Sequence, residues 1–178
     1  MPNGTRAEVR TALELFFNSR IGVNGSIPTI GTVYGFPEKF MDEQDMFASV
    51  QPGIQSGAFL YIHLLHSFDK RDALGGPTSG KKWVQYDCVL TIVFRSMKPS
   101  SVDAGTDNEA MIDAIVAQIR ANRTVDNTGT IFQWGEGTDR GGQDIEVESF
   151  YPQSIGARAE VTQILTTIKV IVAQQITS

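Results

Sequence analysis

The stretch Val84-Gln-Tyr-Asp-Cys-Val-Leu-Thr-Ile-Val-Phe94 constrains this chain more than any other. Its period of two puts Val84, Tyr86, Cys88, Leu90, Ile92 and Phe94 on one face of a strand. Gln85, Asp87, Thr91 and Arg95 share the other face with Val89 and Val93. A strand patterned in this way belongs to an antiparallel sheet with one side packed on helices. Upstream lies Gly57-Ala-Phe-Leu-Tyr-Ile-His-Leu-Leu65, with Phe59 and Tyr61 on one side and Leu60, Ile62 and Leu64 on the other. Being apolar on both sides, it reads as a central strand or one covered by something further, for which a partner subunit would serve. The two form a long β-hairpin over residues 57–97, joined by a polar, glycine-rich loop from Asp69 to Lys82.

Two amphipathic helices are expected to cover one face of that hairpin. Thr5-Arg-Ala-Glu8 is a capping box. Val9, Ala12, Leu13, Phe16 and Phe17 follow it at helical spacing, which predicts a helix over about 6–18. Thr106-Asp-Asn-Glu109 is a second box. Met111, Ile112, Ile115, Val116 and Ile119 follow, predicting a helix over about 107–121, with Lys98 to Gly105 as a loop before it. Acidic residues open that helix, and Arg120 and Arg123 close it, which suits the macrodipole.

Shorter strands are expected at Thr32–Tyr34 and Thr130–Trp134, and Asp144 to Phe150 alternates apolar Ile145 and Val147 with acids. Glu38 to Val50 reads as an irregular helical segment or a packed loop. The run from Gly156 onward is β-prone, with Ile164, Ile168, Val170 and Val172 on one face. The fold class is therefore α+β, with a mixed, mostly antiparallel sheet. At 178 residues, positions 1–178 are expected to form a single domain.

Composition narrows the function. The chain is 41% hydrophobic and 20% charged, as globular domains are, with a net charge of −5 that offers no global attraction to nucleic acid or anionic lipid. A single cysteine excludes a disulfide framework and a multi-cysteine metal site. Arg6, Glu8 and Arg10 interrupt any signal-peptide core, and no apolar run approaches the roughly 20 residues a bilayer requires, so a cytosol-like compartment and no membrane are expected.

No reactive constellation stands out, and neither an enzyme nor a cofactor or metal site is expected. Gly75-Gly-Pro-Thr-Ser-Gly-Lys-Lys82 nearly spells a phosphate-binding loop. Its last position is a lysine without a hydroxyl, and it leads into a strand instead of a helix. His63 and His66, three apart on an extended strand, would point to opposite faces and could not grip one ion. Asp69, Asp72, Asp87, Glu136, Asp139 and Asp144 sit in or beside loops with no spacing that demands acid–base work. Cys88 reads as a small buried hydrophobe. Lys70, Arg71, Lys81 and Lys82 cluster at the hairpin loop and are the candidate inter-subunit or partner contact.

The whole layout resembles a known family. An amphipathic helix precedes a long hairpin whose loop reads Asp69-Lys-Arg-Asp-Ala-Leu-Gly-Gly-Pro-Thr-Ser-Gly-Lys-Lys82. Then come Tyr86 in an alternating strand, the helix containing Asp113-Ala-Ile-Val-Ala-Gln-Ile-Arg-Ala-Asn-Arg123, Ile131-Phe-Gln-Trp-Gly-Glu136, and a β-rich end. This is similar to the tail terminator and neck proteins of long-tailed, siphovirus-like bacteriophages. The resemblance implies a mixed sheet with helices on it and a homo-hexameric ring at the head-proximal end of the tail. Such a ring ends growth of the tail tube protein and meets the head-side connector or neck protein. Genomic DNA passes through its lumen without specific binding. It also implies assembly in the host cytoplasm and residence in the virion. Alternatives are a neighbouring head-completion or tail-tube subunit, or a small α+β enzyme or ligand-binding domain with a concave pocket.

Overall fold

The computed structural model describes residues 5–21, 25–27, 29–36, 55–72, 81–98, 100–122, 124–125, 133–134, 145–151 and 162–177, with 68–72, 81–83, 101, 133 and 175–177 by backbone alone. The segment 38–50 lies outside them. The elements are α1 (Arg6–Asn18), β1 (Ile30–Tyr34), β2 (Ser56–Asp72), β3 (Lys81–Ser96), α2 (Ser101–Ala121), β4 (Gln133–Trp134), β5 (Glu146–Phe150) and β6 (Thr162–Thr177). They build one six-stranded sheet in the order β1-β2-β3-β6-β4, with β5 also on β6. Because β3 pairs with β6 from Ser96↔Thr162 to Lys81↔Thr177, β4 and β5 share the opposite edge of β6. Among the described strand pairs only β1–β2 is parallel, so the sheet is mixed and mostly antiparallel, as the alternation predicts.

Both helices cover one face. Val9, Ala12, Leu13, Phe16 and Phe17 of α1 and Met111, Ile112, Ile115, Val116 and Ile119 of α2 join Leu60, Ile62, Leu90, Ile92, Phe94, Ile168 and Val172 in one core. The Thr5 capping box is formed: Glu8 N–H donates to Thr5 Oγ1 at 3.2 Å, and Thr5 N–H to Glu8 Oε2 at 2.5 Å. The C-terminal ends of the helices are tied together by Arg20. Its guanidinium donates to the Phe16 carbonyl at 2.6 Å, Gln118 Oε1 at 3.3 Å and Asn122 Oδ1 at 3.2 Å, and lies 3.7 Å from the Phe16 ring centroid.

Helix α2 begins earlier than its 107–121 reading. Ser100 is the N-cap, its Oγ accepting from Asp103 N–H at 3.4 Å, so most of the segment read as a loop from Lys98 to Gly105 is helical. Ala104, fully buried, is the reason: it extends the apolar stripe one turn and repays that turn's low intrinsic propensity.

The second face of β2 is also closed within the chain. Phe59 and Tyr61 are buried against Val93, Tyr34 and Leu165, with Tyr34 stacked on Tyr61 at 5.4 Å and 18°. β2 is thus a central strand between β1 and β3, and burial of these two side chains needs no partner subunit.

Candidate interaction surfaces

The four basic residues do not sit on a loop. β2 continues to Asp72 and β3 starts at Lys81, in the register Lys70↔Trp83, Arg71↔Lys82 and Asp72↔Lys81. This corrects the loop read from Asp69 to Lys82. The ladder continues because β6 supplies β3 with a second hydrogen-bonding partner along its whole length, Lys82 opposite Ile176 and Lys81 opposite Thr177. Lys70, Arg71, Lys81 and Lys82 therefore stand at one end of a three-stranded ribbon. The middle of the phosphate-loop look-alike lies outside the described residues, while Lys81 and Lys82 open a strand.

The histidines overturn a second expectation. A bulge at Leu65 separates Leu64↔Cys88 from His66↔Asp87, and His63 pairs with Val89. One extra residue reverses the side-chain alternation. His63 and His66 therefore share the face that carries Asp87 and Val89, instead of pointing apart. The guanidinium of Arg6 on α1 donates to the Leu64 carbonyl beside the bulge, supplying a partner where the ladder is interrupted. Among the described residues no three His, Cys, Asp or Glu side chains converge as a metal site would require. Glu136, Asp139 and Asp144 lie outside the described residues.

Cys88 faces the helices and is buried, and that burial, with the neighbouring Asp87 charge, pushes its thiol up to about 12 from 9.0. The thiolate is the reactive form, so its share at pH 8 falls roughly a thousandfold below that of a free thiol. We expect maleimide at pH 8 to leave the native protein unlabelled and to label it fully in denaturant; rapid native labelling would contradict the buried assignment. The linkage has the corresponding sign: a thiol raised in the folded state adds stability below pH 9 that is lost as pH rises from about 9 toward 12.

One polar cluster has no signature in the sequence. Ser56 Oγ donates to Asp107 Oδ2 at 2.8 Å, and Ser96 Oγ lies 2.9 Å from Ser56 Oγ. Since the Ser56 proton goes to Asp107, Ser96 is the donor to Ser56; Ser96 in turn accepts from Lys98 N–H at 3.2 Å. Lys98 Nζ meets Asp107 Oδ2 at 2.7 Å, and this bond raises the lysine pKa. The hydroxyls face a carboxylate, a far weaker base than an imidazole, so the cluster anchors α2 to the ends of β2 and β3 and does not activate a nucleophile. The strand register Ser56↔Ser96 brings the two serines together, and the docking of α2 adds Asp107.

No family model matches the chain, and no curated protein matches it. Among solved structures, the chain is similar to the sheath/tube terminator of the PVC extracellular contractile injection system in its extended state, with 15% identity and a TM-score of 0.40. That likeness covers 100% of this chain and 59% of the other, so the chain spans less than two thirds of its neighbour's length.

Proposed function

We propose that this chain is a structural subunit of a phage-type tail. Copies of it close a ring at the head-proximal end of the tube, ending tube growth and offering a surface to the head-side connector. The observation that carries this reading is the ribbon of β2, β3 and β6. Each strand is 16 or 17 residues long, about three times the usual strand, and together they run from the helix-covered core to the four basic residues. A long rigid ribbon with a charged end suits contact between chains. The order helix, long hairpin, helix and β-rich end also agrees with the layout on which the tail-terminator resemblance rests. Ring closure uses heterologous contacts, in which two different patches of one subunit meet its two neighbours. With a net charge of −5, the subunit as a whole does not hold back DNA passing through the lumen.

The test is native mass measurement and electron microscopy of the purified protein. One closed ring supports the terminator role, long filaments would make the chain a tube subunit, and a monomer that also fails to bind tube ends would sink the proposal. Replacing Lys70, Arg71, Lys81 and Lys82 together with serine is expected to leave the melting temperature unchanged and to abolish particle assembly. Normal assembly by that variant would remove the ribbon end from the contact.

A further inference from the structure

The start of α2 carries two competing signals. In the structure the helix begins after Ser100, and its first two turns, Ser101-Val-Asp-Ala-Gly-Thr-Asp-Asn108, contain one strong helix former, Ala104. Gly105 lies in the helix interior. Thr106 Oγ1 bonds back to the Val102 carbonyl at 3.0 Å, a pattern that weakens helices. Val102 is 74% exposed. Asn108 is fully buried in the apolar stripe, and neither its Oδ1 nor its Nδ2 has a partner. From Glu109 to Ala121 the helix contains four alanines and no glycine, serine or threonine. At the junction stands Thr106-Asp-Asn-Glu109, a complete capping box that the structure leaves unused, with Thr106 bonded backward and Glu109 exposed.

We infer that α2 has two start points, and that Ser101–Gly105 unwinds as a unit to a shorter helix capped by Thr106. In the shorter helix the Thr106 hydroxyl turns from Val102 to the Glu109 amide, and the Glu109 carboxylate accepts the Thr106 amide. Unwinding breaks the helical bonds of the Ala104 to Asn108 amides, hands the Glu109 amide to Thr106, and places free donors near the unpartnered Asn108 carboxamide. Asp107 becomes the first residue of the shorter helix and keeps its bonds to Ser56 and Lys98, so the segment between Lys98 and Asp107 opens as a loop pinned at both ends. Loss of Ala104 from the core opposes the change and makes the long helix the ground state. This inference stands on α2 alone and does not depend on the role proposed for the chain.

Hydrogen exchange on the intact protein tests it. The amides of Gly105, Thr106 and Asp107 are expected to exchange at least roughly a hundredfold faster than those of Ile115–Gln118, through local opening and not global unfolding. Gly105→Ala, whose new methyl meets nothing within 4 Å, should slow their exchange roughly two- to fivefold by favouring the long helix. The decisive pair is Glu109→Gln, which preserves the box, and Glu109→Met, which has similar helix propensity but no acceptor. The methionine variant should slow these amides about twofold or more and the glutamine variant should not. Simple fraying would leave the two variants alike. That result, or protection at Gly105–Asp107 equal to that at Ile115, would overturn the inference.

Discussion

Ile92→Asp is expected to abolish the folded state. Ile92 is fully buried on the helix-covered face of β3, opposite Leu60 of β2 and Thr166 of β6. Both flanking strands are continuous there, so the carboxylate has no route to water along the sheet. A buried unpaired charge, added to the lost packing of an isoleucine, costs about 4 kcal/mol or more, a large fraction of the stability of an ordinary domain. Far-UV circular dichroism and a urea melt are the measurements. Thr91→Asp is the control: Thr91 is half-buried on the opposite face, and the same substitution there should cost roughly 1 kcal/mol or less. Equal effects at the two positions would show that the face assignment of β3 is wrong.

Phe17→Ala should give the next largest loss. Phe17 is fully buried, meets Phe16 edge-on at 5.1 Å and 86°, and lies 6.5 Å from Trp134. Trp134 in turn sits 5.3 Å from Phe16 and is 1% exposed. These rings join α1 to β4, whose two residues pair with Ala173 and Val172 among the described residues and depend on side-chain packing. Truncation leaves a cavity among rigid rings that cannot collapse into it, at a cost of about 3–5 kcal/mol. For a chain of this size that lowers the melting temperature by roughly 6–20 °C. Leu15→Ala on the exposed side of α1 should lower it by only a degree or two; matching shifts would show that the helix face is misassigned.

Arrangements that depend on spacing along the chain were legible in advance. The stripe of α1, its capping box, and the alternation of β3 and β6 all appear as read, because each depends on residues within one or two turns or pleats. The candidate contact was legible only as composition. Lys70, Arg71, Lys81 and Lys82 are visible as basic residues, but their place on paired strands follows from β6, which lies far along the chain. The missed start of α2 has a similar origin. Local propensity favours Thr106, and burial of Ala104 against a sheet assembled from distant segments decides otherwise.

The amino-acid sequence by itself determined the stripe of α1 and the alternating faces of β3 and β6, since periodicity is a local quantity. Tertiary structure decided the ladder on which the basic residues stand and the Ser56–Ser96–Asp107–Lys98 anchor. It also decided the bulge at Leu65 that turns His63 and His66 to one face. The physical reason is common to all three. Strand register is a relation between distant segments, and a single inserted residue changes every partnership beyond it without altering the pattern of either strand.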